Sequence, residues 1–161
     1  MESIEDSKER KRSSETDFKL ERYKFILQEI HRLNENLHKY LALFQALATA
    51  IVGAGVAVFT VWEELNISAE MAKTGIRGLL GLLVILALFT VTSVIAGVFS
   101  WLDYRKEEVN LLNQEVERGF REMPTIKNLW RWYETYLVLF IFIVIMTIYI
   151  YVEREVIPLI Q

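Results

Sequence analysis

Residues 41–62 read LALFQALATAIVGAGVAVFTVW, twenty-two positions without one ionisable side chain. At 1.5 Å per helical residue such a stretch reaches across a hydrocarbon core of about 30 Å, which takes about 20 residues. Two further apolar stretches follow, Leu79 to Trp101 with a small-residue approach from Gly75, and Leu137 to Val152 with an aromatic approach from Trp130. The chain of 161 residues is 53% apolar with a mean hydropathy of +0.25, too much oil for an ordinary soluble domain. The pattern predicts an all-α integral membrane protein with three transmembrane helices.

The segments between the spans are highly charged, and 18 Lys and Arg nearly balance 21 Asp and Glu. A net charge of -3 without a basic, aromatic-laced patch gives no footprint for nucleic acid. Cysteine is absent, which excludes disulfides, thiol catalysis and thiolate metal sites. The first forty residues are charged almost throughout, so no cleavable signal peptide is expected and the first span serves as its own targeting signal.

Retained loops carry the positive excess, so counting Lys and Arg beside the spans gives the orientation. Nine precede the first span, six lie between the second and third, two (Lys73 and Arg77) lie in the first loop and one (Arg154) in the tail. The N-terminus is therefore expected in the cytoplasm and the C-terminus on the opposite side.

Residues 1–15 contain only Met1 and Ile4 as large apolar groups, and a disordered, charged tail is expected there. Residues 16–161 are expected to form a single membrane domain. Its first long helix covers 16–62, with the first span at about 41–62; Ser14 and Asp17 stand in capping-box spacing before it. Tyr23, Ile26, Ile30, Leu33, Leu37, Tyr40 and Phe44 recur along it at alternating steps of three and four. This is a heptad seam suited to oligomerisation, and it runs without a breaker into the span.

An outer loop at 63–74 leads to a second long helix over 75–122, with the second span at about 78–101. Its lower half carries Leu102, Val109, Leu112, Val116 and Phe120 on one stripe. Two arms of matched length predict an antiparallel cytoplasmic stalk. Pro124 opens an interfacial connection at 123–132, a third span follows at 133–152, and 153–161 is an outer tail. The third span is bulky and almost free of small residues, as expected of a helix that meets lipid on most sides.

Within the first span Gln45, Thr49, Gly53, Val56 and Thr60 share one face, flanked by Ala46, Ala50 and Ala57. Small residues allow close helix approach, and amides or hydroxyls hydrogen-bond across the contact. Ser93, Gly97 and Ser100 lie along one side of the second span. Three readings stay open for these residues: packing of the first span on the second, contact between copies of the chain, or the lining of a pore. Glu63 and Glu64 follow the anchor Trp62 and would form an acidic outer mouth in a ring of subunits. Asn66-Ile67-Ser68 in the outer loop has the form of a glycosylation sequon.

No Asp, Glu, Lys, Arg or His occurs inside the first two spans, which argues against proton relays, coupled transport and intramembrane hydrolysis. His31, Glu35 and His38 have metal-ligand spacing, but both histidines fall outside the apolar seam and a di-iron bundle needs the Glu-x-x-His unit twice. No metal, cofactor or catalytic residue is expected.

An amphipathic helix, two spans and an aromatic-basic cytoplasmic helix, here WLDYRKEEVNLLNQEVE, give residues 18–120 an architecture that resembles the SLATT-type small membrane effectors of bacterial nucleotide-signalled defence. The resemblance implies an oligomer that perforates or disturbs a membrane on command; the third span departs from the two-span pattern. The expected function is thus non-enzymatic: a self-assembling, pore-forming or membrane-perturbing effector whose partners are the lipid bilayer and its own copies. The alternative is a membrane anchor or scaffold whose stalk binds a soluble cytoplasmic protein.

Overall fold

The computed structural model describes residues 4–116, 119–125, 130 and 132–160. The expectations that touch residues 1–3, 117–118, 126–129, 131 and 161, among them half of the interfacial connection, lie outside the described residues. Helix α1 runs Ile4–Val61, α2 runs Ala69–Glu115 and α3 runs Tyr133–Tyr151, followed by a π-helical stretch Val152–Val156 and a last turn α4, Ile157–Leu159. Among the described residues there is no strand. All three long helices are long and apolar enough to cross a membrane.

Helix α1 starts at Ile4, so residues 4–15 are helical where a disordered tail was expected. Elongating an existing helix avoids the nucleation cost, and Glu, Lys and Arg are good helix formers. Two local contacts support these turns. Lys19 Nζ lies 2.9 Å from Glu15 Oε1 one turn away, and Thr16 Oγ1 donates to the Arg12 carbonyl at 2.9 Å. The Lys19 ammonium holds the Glu15 carboxyl below its ordinary range, while Glu15 and Glu115 together hold the Lys19 ammonium above its own. The Glu15 contribution is therefore present above about pH 4.5 and lost as pH falls; that of Lys19 is present below about pH 10.5 and lost as pH rises.

After Val61 the chain turns through Trp62–Asn66. Asn66 adopts φ +53°, Ile67 N–H donates to the Trp62 carbonyl at 2.9 Å and Asn66 N–H to Glu63 at 3.1 Å. These are the two bonds of a Schellman motif, with asparagine in the left-handed position that glycine usually fills. Asn66→Gly is expected to leave thermal stability unchanged or raised, and Asn66→Val to lower it by about 1–2 kcal/mol. Equal melting temperatures for the two variants in detergent would contradict this account.

Ser68 then caps α2: its Oγ accepts from Met71 N–H at 3.3 Å, and Glu70 sits in the first turn where the helix dipole favours an acid. The helix therefore begins at Ala69, and residues 69–74, expected in the outer loop, are its first turns. At the other end α2 stops at Glu115 and not at 122. Gly119 there takes φ +86° and its N–H donates to Asn113 Oδ1 at 3.0 Å, a left-handed turn that glycine adopts without strain.

The expected outer tail 153–161 is also helical, through Leu159. Pro158 supplies no N–H, and in a regular α register its ring would crowd the carbonyl of Arg154, four residues back. The widened π register at Val152–Val156 accommodates that conflict without ending the helix.

The chain divides into two compact units, Met1–Asn36 with Gly97–Ile126, and Leu37–Ala96 with Lys127–Gln161. In the first, Ile26, Leu102 and Val109 are buried, and two ion pairs join α1 to α2: Lys19–Glu115 at 2.9 Å and Arg22–Glu107. In the second, Ile76, Leu80, Leu83, Ala87, Thr90 and Val94 of α2 are buried at alternating steps of four and three. Ala72 and Ile76 form one cluster with Ile157 and Ile160, against which Phe59 and Trp62 of the α1 end pack. Helix α3 buries only Ile141 along its length, so most of its bulky surface faces outward.

Candidate functional site

The polar stripe of α1 does not meet α2. Gln45, Thr49, Gly53 and Thr60 are all exposed, as are Ala46, Ala50 and Ala57 on their flank. The Thr60 hydroxyl is satisfied by its own helix, donating to the Val56 and Ala57 carbonyls at 3.0 Å, and a Cβ placed on Gly53 would meet nothing within 4 Å. Within its unit this stripe is thus an exposed face of α1. The side of α1 that packs in the same unit is Leu41, Phe44, Ala48, Ile51, Gly55 and Val58, all half-buried, again at steps of three and four. A Cβ on Gly55 would lie 4.0 Å from Leu79 Cδ1, and the Tyr40 ring meets Phe89 edge-on with centroids 6.4 Å apart.

On α2, Ser93, Gly97 and Ser100 are half-buried beside the buried seam. Ser93 donates to the Phe89 carbonyl at 2.9 Å, and a Cβ on Gly97 would meet nothing within 4 Å.

The heptad seam of α1 is partly used within the chain. Ile26 has 0% exposure in its unit, and Tyr23, Ile30, Leu33, Leu37 and Phe44 are half-buried. Tyr40 is exposed at 40% outside its contact with Phe89. A position already filled inside one chain is not free for a second, which removes Ile26 from an oligomerisation seam. Glu63 and Glu64 are exposed in the turn after α1. His31 Nε2 lies 3.2 Å from Glu35 Oε1 on an exposed face.

A buried ionic centre in the first unit was not anticipated. Glu108 has 0% exposure; Arg105 donates to its Oε2, and Arg121 Nη1 donates to its Oε1 at 2.9 Å. Both carboxylate oxygens are thus charge-paired, as burial of an acid requires. Arg105 also lies over the Trp101 ring, 5.7 Å from its centroid. The i, i+3 spacing of Arg105 and Glu108 beside Val109 was visible in the sequence. Arg121 was not assignable, because it returns from beyond the turn at Gly119.

In the second unit an apolar crevice of about 550 Å³ opens among α1, α2 and α3. Buried Ile76, Leu80 and Leu83 of α2 form its floor, while Val52 and Val56 of α1 and Tyr151 of α3 stand exposed on its rims. Its lining hydroxyl from Thr147 donates to the Ile143 carbonyl at 2.8 Å. At the level of the crevice's outer end, Arg77 Nε and Nη2 donate to the two carboxylate oxygens of Glu153 at 3.1 and 3.2 Å.

No protein-family model, curated protein or solved structure matches this chain. Function must be argued from the surfaces just described.

Proposed function

We propose that this chain is a multi-pass membrane protein that self-assembles and acts as a pore-forming or membrane-perturbing effector. One observation carries the reading: Gln45, Thr49, Gly53 and Thr60 are exposed on a helix whose surroundings would be lipid. An amide facing acyl chains has no hydrogen-bond partner there, and a small-residue face offers weak dispersion contact with lipid. A second copy supplies both. Assembly runs through this stripe and not through Ile26, and a ring built on it would bring the exposed Glu63 and Glu64 together at an outer mouth. The architecture-level likeness of residues 18–120 to SLATT-type effectors points the same way.

The orientation is N-terminus inside, from the Lys and Arg distribution, and the lower halves of α1 and α2 run antiparallel as a stalk. The stalk is supported by its ion pairs: the partner number falls from Glu115 to Glu107 as the α1 number rises from Lys19 to Arg22. The chain has no cysteine, so single cysteines at Ser14 and Glu64 read the topology. Labelling of both from the same side by an impermeant maleimide would refute it.

Gln45→Leu and Thr49→Val are each expected to weaken self-association by about 0.6–1.7 kcal/mol, roughly 3- to 20-fold. Particle mass in detergent and planar-bilayer conductance check this. A strictly monomeric protein without conductance sinks the effector reading.

A scaffold role is favoured by a different observation. Phe18, Leu20, Phe25 and Leu27 are exposed at i, i+7 spacing on α1 outside the apolar stretch, a surface that a cytoplasmic protein could cover. Replacing Phe18 and Phe25 by serine tests it. If conductance and mass are unchanged while a specific cytoplasmic protein is lost from pull-downs, the chain is an anchor.

A further inference from the structure

We propose that the crevice among α1, α2 and α3 is a binding site for one phospholipid, which places an acyl chain in the cleft and its phosphate at Arg77. The inference rests on the membrane reading but not on assembly.

The cleft is a groove whose apolar walls lack contact atoms unless something lies along them. Protein interiors close-pack, and an apolar space of about 550 Å³ would leave its walls without contact atoms. The chemistry of the walls narrows the choice to an alkyl chain. Leu79, Leu80 and Ile148 present only carbon, and the Thr147 hydroxyl is already bound to its own backbone. The one further hydroxyl of the lining, that of Tyr151, stands on the exposed rim, so the apolar floor offers a polar ligand or water too few partners.

Length and position favour a membrane lipid over a small apolar solute. The lining runs from Ile51 to Phe59 on α1 and from Ile76 to Leu83 on α2. At 1.5 Å per residue that is about 10–12 Å, most of one leaflet of a hydrocarbon core of about 30 Å. The cleft is open between the exposed rims Val52 and Val56 on one side and Tyr151 on the other, so a chain can enter sideways from the bilayer.

An oriented guanidinium donor completes the site. Arg77 leaves α2 directly beside Ile76, at the outer end of the lining, and its side chain is 54% exposed. Glu153 engages Nε and Nη2, which orients the guanidinium. A guanidinium has five N–H donors, so Nη1 stays available to a phosphodiester oxygen at the membrane surface. Glu153 follows the lining residue Val152, so the ion pair also ties the α2 and α3 sides of the cleft together.

The test uses the full chain reconstituted in palmitoyl-oleoyl phosphatidylglycerol, re-extracted into mild detergent and weighed intact by native mass spectrometry. One retained phospholipid per chain is expected. Val56→Trp, which fills the cleft from its rim, should lower occupancy at least fivefold, and Arg77→Gln should lower it while leaving retention of free oleate unchanged. Val52→Trp provides a second filling variant if Val56→Trp loses helical content. Three results would overturn the site: no more phospholipid on wild type than on the filled variants, oleate retained in place of phospholipid, or filled variants that change only the assembled mass, which would make a second copy the occupant. Val56 also lies on the stripe of the first span whereas Val52 does not, so an occupancy per chain that falls in Val52→Trp with the assembled mass unchanged separates the lipid site from assembly and conductance.

Discussion

Glu108→Ala is expected to destabilise the unit formed by Met1–Asn36 and Gly97–Ile126 by about 3 kcal/mol, the low end of the range for breaking a buried charge pair. Glu108 has 0% exposure and accepts from two arginines. Its removal strands the Arg105 guanidinium, whose side chain is only 21% exposed, whereas Arg121 at 43% can rehydrate in place. That difference selects the low end. Glu108→Gln keeps the shape but offers neutral acceptance, so an intermediate loss is expected. Glu107→Gln removes a charge from a half-exposed partner of Arg22 and should cost less than about 1 kcal/mol. Pairing Glu108→Leu with Arg105→Met removes both buried charges and should recover much of the loss. Thermal unfolding by circular dichroism in detergent reads the series. Equal midpoints for Glu107→Gln and Glu108→Ala would show that the buried centre holds nothing together.

The second large effect has opposite signs for the protomer and the assembly. Gly53→Leu should leave the protomer folded and slightly more stable, by about 0.5–1 kcal/mol, because leucine is the better helix former and a Cβ there meets nothing within 4 Å. The same side chain would stand between helices that approach through the stripe. Overpacking of that kind costs about 1–3 kcal/mol, a loss of association of roughly 5- to 150-fold. Sedimentation in detergent should therefore give a monomer of unchanged helicity, with conductance lost. A variant that assembles like wild type would place the contact between copies elsewhere.

The contrast between these residues marks how far a sequence reading reaches. Outside the spans, apolar side chains among charges announce their face: Ile26 and Val109 sit on stripes visible at steps of three and four, and both are buried. Inside the spans nearly every side chain is apolar, and lipid is as good a solvent for leucine as a protein interior is. The α2 seam through Leu80, Leu83 and Val94 therefore has no hydropathy contrast to reveal it. The polar stripe of α1 stood out because it broke that uniformity, but contrast alone gives no direction.

Helix ends followed a different logic. Asn66 and Ser68 shaped the outer turn through local hydrogen bonds, so its composition was legible although its length was not. Residues 4–15 carry too little apolar surface to predict order, yet they extend a helix nucleated elsewhere. Arg121 reaches Glu108 from beyond the end of α2, past the left-handed Gly119.

By itself the amino-acid sequence determined that this protein is helical, that three of its stretches suit a bilayer, and that acids and bases lie outside them, because hydrocarbon admits only long apolar segments with internally paired backbones. The tertiary structure alone decided which side of each span faces protein: it turned Gln45 and Thr49 outward, drew Gly55 onto Leu79 and left a cleft over Leu83. Shape complementarity makes that choice, since hydrophobicity cannot separate two apolar surroundings.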